Sequence, residues 1–153
     1  MDGRSLPALW RRRAWLRAGV ASGLVLAGLP ARACEFFSST LRATHPWTRS
    51  TPDGVDSCLV CMVFDEGRAD ERLIGIRTDI AAGAEMAGAD ARPGVHFAIP
   101  KGRVSALSES GTCIRLLGLN MPMEVARVYP IDLIFERGGV LRADLSVDYA
   151  RFR

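Results

Sequence analysis

The end of the chain alternates apolar and polar residues with a period of two, and only a β-strand puts every second side chain on one face. Leu141, Ala143, Leu145, Val147 and Tyr149 are interleaved with Arg142, Asp144, Ser146 and Asp148, which predicts a half-buried strand with one wet face. Just upstream, Tyr129, Ile131, Leu133 and Phe135 alternate with Pro130, Asp132 and Ile134. Arg137-Gly138-Gly139 supplies the turn between them, so the two segments predict a β-hairpin. Pro130 removes a ladder donor and should lie at an edge or a bulge.

Earlier segments fit the same architecture. Cys58 to Phe64 is a continuous apolar run bounded by Asp53-Gly54 and Asp65-Glu66-Gly67, as in a strand buried on both faces. Leu73 to Arg77, Val104 to Leu107 and Cys113 to Leu119 are shorter strand candidates between Gly, Pro and Ser clusters. Many short strands with turn residues between them predict an all-β, antiparallel β-sandwich. The Ala-Gly stretch from Ala81 to Gly94 reads as a loop, or at most one helical turn.

The first 33 residues have a different character. Arg4 and Arg11-Arg12-Arg13 precede a modestly apolar segment from Ala18 to Leu29, and Ala31-Arg32-Ala33 offers small residues for a signal peptidase. Arg12-Arg13-Ala14-Trp15-Leu16-Arg17 resembles the twin-arginine export consensus. Residues 1–33 therefore read as a twin-arginine signal peptide cleaved after Ala33, leaving a periplasmic domain over residues 34–153. The apolar segment is interrupted by glycine and falls short of the roughly 18 residues a bilayer span needs, so no stable membrane anchor is expected after cleavage. Lipid attachment to Cys34 is the rival, and Arg32 breaks the small-residue pattern that normally precedes a lipidated cysteine.

Cleavage reverses the charge balance. The whole chain has 20 basic and 17 acidic residues; the leader holds six of the former and one of the latter, so the remainder is slightly acidic. No nucleic-acid footprint is expected, because that would need a clustered basic face. All four cysteines, Cys34, Cys58, Cys61 and Cys113, fall in the exported part, where disulfides are permitted and three pairings are open. Cys58-Leu59-Val60-Cys61 lacks the helix N-terminus that activates a thioredoxin-type pair. Residues three apart on a regular strand face opposite ways, so the two sulfurs read as core cysteines; a disulfide from either to Cys34 or Cys113 is the competitor. A second paired ligand set for zinc is absent from the sequence. His45 and His96 are the two histidines, and neither has a nucleophile elbow nearby, so no enzyme is predicted.

Taken in order, several segments resemble the PCu(A)C-type periplasmic copper chaperones. Pro46-Trp47-Thr48-Arg49, Asp70-Glu71-Arg72-Leu73-Ile74-Gly75, Ile99-Pro100-Lys101-Gly102, Leu116-Leu117-Gly118-Leu119, Asn120-Met121-Pro122-Met123 and Phe135-Glu136-Arg137-Gly138-Gly139 match family segments across residues 41–149. The resemblance implies a cupredoxin-like sandwich that binds Cu(I). It also implies delivery to a copper-accepting oxidase assembly factor or oxidase subunit.

The family's ligands are a His, a later Met and a His-x-Met pair, and soft Cu(I) favours such thioether, thiolate and imidazole donors. Those positions fall here at Ala87, near Ala98, and at Cys113 and Arg115, so none keeps its family residue. Cys113 and Arg115 should share one face of their strand, with Ile114 and Leu116 turned inward. An adjacent Arg should lower the Cys113 pKa, although as a fixed cation it opposes a metal ion. Cys113 is therefore the expected copper donor, with His96 and Met86 as helpers. A metal-free interaction module and an exported thiol-disulfide protein are the alternatives.

Replacing Arg12 and Arg13 with Lys should hold the precursor in the cytoplasm, because the twin-arginine route reads that pair directly. Fractionation showing normal export of the double variant would contradict the leader assignment.

Overall fold

The computed structural model describes residues 34–148; the leader, its cleavage site and Tyr149 lie outside the described residues. Ten strands follow one another with no helix among the described residues: β1 (Glu35–Phe37), β2 (Arg42–Arg49), β3 (Ser57–Asp65), β4 (Glu71–Arg77), β5 (Ala81–Gly88), β6 (Phe97–Ile99), β7 (Ser105–Leu107), β8 (Thr112–Leu119), β9 (Val128–Phe135) and β10 (Gly139–Asp148). Hydrogen bonding runs in the order β5-β8-β3-β2-β10-β9-β4-β6, with β1 added to β2 and β7 to β3. β4 and β5 are joined by only residues 78–80 yet stand near opposite ends of that order. The sheet must therefore curl until its two ends approach, and the core fills the space inside.

The hairpin is as expected: Leu141 pairs with Leu133 and Leu145 with Tyr129, and the alternating apolar residues of both strands are buried. Pro130 falls where β9 has lost its second neighbour, since pairing with β4 stops at Asp132. The Thr78 hydroxyl donates to its carbonyl at 2.9 Å. Phe64 anchors the centre of the core, edge-on to Phe135 with ring centroids 6.0 Å apart.

One expectation needs correction. The segment from Ala81 is a strand, not a loop: β5 pairs with β8 from Ala81 opposite Leu119 to Gly88 opposite Thr112. Alanine and glycine carry no readable periodicity, and the neighbouring strand imposes the extended form. The fold is all-β and mostly antiparallel, as expected, with one parallel pairing, β10 against β2, that sets Ser146 beside Trp47 and Asp148 beside Arg49.

One buried charge ties the far end of the sheet. Glu71 is 5% exposed and accepts hydrogen bonds from the backbone N–H groups of Arg72, Arg137 and Gly138 and from the Thr40 hydroxyl. Burial alone would raise its pKa; these donors outweigh burial and hold it below the usual carboxylate value. Glu71 thus stabilises the fold while ionised, and that contribution is lost as pH falls from the ordinary carboxylate range through its depressed folded-state value. Glu71→Gln should cost about 1–3 kcal/mol at neutral pH, with the gap to wild type closing in acid. Denaturant curves that stay equally separated at all pH values would contradict this.

Candidate functional site

β3 is covered on both faces. Cys58, Val60, Met62 and Phe64 point into the main core, whereas Leu59 and Cys61 point to the outer face. There Cys61 packs with Cys113 and Ala87, and Trp47 and Leu59 close the cluster. Cys61 and Cys113 are each 1% exposed. The strand alternation explains the split: Cys58 and Cys61, three apart, serve opposite faces, as the sequence spacing requires.

Both neighbours of β3 are irregular at the level of Cys61. On one side, β2 pairs Thr44 with Val63 and Trp47 with Cys61, so three steps along β2 match two along β3. This bulge is made at His45, whose φ is +48°. On the other side, β8 pairs up to Ile114 opposite Val60, and β7 resumes with Leu107 opposite Met62. Residues 108–113 therefore span a single residue of β3, Cys61: Thr112 and Cys113 remain in β8, paired with Gly88 and Ala87 of β5, and residues 108–111 bow out as a loop. Gly111 closes the loop by donating its N–H to the Ser108 carbonyl at 3.1 Å. The end of β5 abuts this loop so closely that a Cβ on Gly88 would lie 1.9 Å from the Gly111 carbonyl oxygen, and Gly88 has φ +80°.

From that loop Glu109 reaches two ways. Its backbone N–H donates to the Cys61 sulfur, and its carboxylate receives Nε and Nη2 of Arg49 at 2.5 and 2.6 Å. The Arg49 guanidinium also stands 5.8 Å from the Trp47 ring centroid. A forked ion pair with an aromatic beside it thus borders the two sulfurs.

The thiol chemistry follows from burial. Desolvation, then the proximity of Cys113 and of Glu109, pushes Cys61 up to about 12 against the pull of Arg49. Cys113 is also raised, by burial first; Arg115 lowers it and Glu109 raises it. Arg115 thus lowers Cys113 as expected, but burial outweighs it. Arg115 is exposed and pairs with Glu85 at 3.2 Å.

Of the three expected donors, Cys113 is on this face and Met86 is not. Ile114 and Leu116 point inward as predicted. Met86 is opposite Ile114 on β5 and also points into the main core, so it faces away from Cys113. His96 is exposed, and among the described residues no group of three or more His, Cys, Asp or Glu side chains is placed to hold a metal ion. Cys61 is the residue that sequence reasoning passed over. Its strand parity could have pointed outward, but its meeting with Cys113 depends on β3 and β8 being neighbours.

The curled all-β sheet, with Cys61 and Cys113 packed on its outer face, has the fold of the PCuAC domains. The solved structures it resembles agree on the fold. The copper-bound PCuAC domain from PmoF2 superposes with a TM-score of 0.69 at 19% identity, covering 75% of this chain and 97% of that domain. The apo PCuAC domain from PmoF1 gives 0.69 at 21%, covering 75% and 98%. The CuI form of DR1885 from Deinococcus radiodurans gives 0.57 at 18%, covering 68% and 75%. Among curated proteins no sequence relative matches the chain. Residues 41–147 match the family model described as "Putative lipoprotein LpqE-like", and the chain belongs to that LpqE-like family.

In the reduced, folded protein, exposed Cys34 should react promptly with a thiol reagent, while buried Cys58, Cys61 and Cys113 react only on unfolding. Prompt reaction of a second thiol would show that the outer-face cluster is open to solvent.

Proposed function

We propose that this protein is an exported, non-enzymatic copper(I)-binding chaperone-like protein, working in the periplasm after removal of residues 1–33. The observation that carries the reading is Cys113. It is a soft donor buried on the outer face of the sheet, at the place where the family resemblance of the sequence puts a copper ligand. The similar structures named as copper-bound support the metal, and the lipoprotein description of the family supports a place outside the cytoplasm. Arg32, in the segment before Cys34, argues against lipid attachment to this cysteine. The copper acceptor would be an oxidase assembly factor or an oxidase subunit.

His96 and Met86 enter this reading differently from Cys113. Met86 is a core residue whose side chain faces away from the site, and His96 stands in the exposed loop after β5. Copper bound through Cys113 therefore does not depend on either.

Titrating the reduced protein with Cu(I) against a competing chelator should show one ion bound per chain. Cys113→Ser should remove that binding, while Met86→Leu, which conserves volume, and His96→Ala should leave it unchanged. If wild type takes no Cu(I) from the competitor, the reading fails and a metal-free interaction module takes its place.

A further inference from the structure

We propose that Cys61 and Cys113 together form a two-thiolate site for a single copper(I) ion on the outer face of the sheet. This rests on the copper reading above and adds the second ligand. Val60 is opposite Ile114 across β3 and β8, so one further step along both strands brings Cys61 level with Cys113. Beyond that last ladder pair, Cys61 and Cys113 pack against each other in the outer-face cluster, so two sulfurs can approach one ion from either side. The β3–β8 ladder ends at Val60 opposite Ile114 and residues 108–111 bow away, so pairing between these two strands does not constrain the two side chains here, while pairing with Ala87 holds Cys113 in β8.

The donor set selects the metal. Two sulfurs, with no group of three or more His, Cys, Asp or Glu side chains placed to hold a metal among the described residues and the Glu109 carboxylate engaged by Arg49, do not make the four-ligand shell of a structural zinc. They suit a soft monovalent ion that accepts two-coordination. The surroundings fit this. Trp47 and Leu59 shield the sulfurs, the Glu109 N–H already donates to Cys61, and Arg49 and Arg115 each favour the thiolate of the cysteine nearest them.

Loading conserves electrons. Two S–H bonds give way to two S–Cu bonds, two protons leave, and copper stays monovalent. The resulting bis-thiolate carries one negative charge, so Arg115, which would oppose a bare cation, here offsets the charge of the complex. The empty site stays protonated because burial and mutual repulsion disfavour two bare thiolates; the ion removes that repulsion.

Cu(I) supplied as its acetonitrile complex to reduced protein carrying Cys34→Ser, in weak buffer near pH 7, should release about two protons per bound ion. In competition titrations on that background, Cys61→Ser and Cys113→Ser should each weaken binding by about a hundredfold or more, with Cys58→Ser unchanged. If Cys61→Ser binds like its parent while Cys113→Ser does not, or if about one proton is released, the two-thiolate site is wrong and the copper reading stands. If the parent protein binds no Cu(I), both fall. Proton release is measured with Cys61 and Cys113 intact, so it decides the matter even if Cys61→Ser fails to fold.

Discussion

The structure depends on β3 being buried on both faces. One face of the strand, Cys58, Val60, Met62 and Phe64, fills the main core. The other would expose a hydrophobic stripe if it met water, and it is covered instead by Trp47, by Cys113 and Ala87 from the adjoining strands, and by the loop carrying Glu109. Covering that second face requires the departures from regular pairing on either side: the bulge at His45 in β2 and the excursion between β7 and β8. Backbone irregularity, thiol burial and the Arg49–Glu109 pair are thus consequences of one requirement.

Much of the fold was legible because its strands obey simple periodicity. The β9–β10 hairpin, the run from Cys58 to Phe64, and the inward turn of Ile114 and Leu116 all follow from side-chain alternation. β5 was not legible, because Ala81, Ala82, Gly83 and Ala84 present no contrast between faces and become a strand only against β8. That omission had a cost for the site: reading Met86 as part of a loop left it available as a ligand, whereas its place opposite Ile114 commits it to the core. The parallel pairing of β10 with β2 was hidden for a related reason, since alternation reports faces and not neighbours. Cys61 shows the same limit, because its parity was readable and its partner was not.

The electrostatics around Cys113 show how a correct local argument can be outweighed. Arg115 does lower the Cys113 pKa, but desolvation raises it more, and both outer-face thiols are protonated near neutral pH. A buried, protonated thiol is a poor nucleophile and an unready redox group, which counts against exchange chemistry at this pair. A metal ion that displaces the protons meets a different balance, because it supplies the charge that burial withholds. The fold is shared with PCuAC domains, while the outer face of this chain carries two buried cysteines beside Ala87.

Copper K-edge X-ray absorption on the Cu(I)-loaded, reduced protein tests this account most directly. The account predicts a first shell of sulfur alone, with low coordination number and an edge shape typical of two-coordinate Cu(I). A shell containing imidazole nitrogen, or one unchanged in a Cys113→Ser variant that still holds the ion, would contradict it.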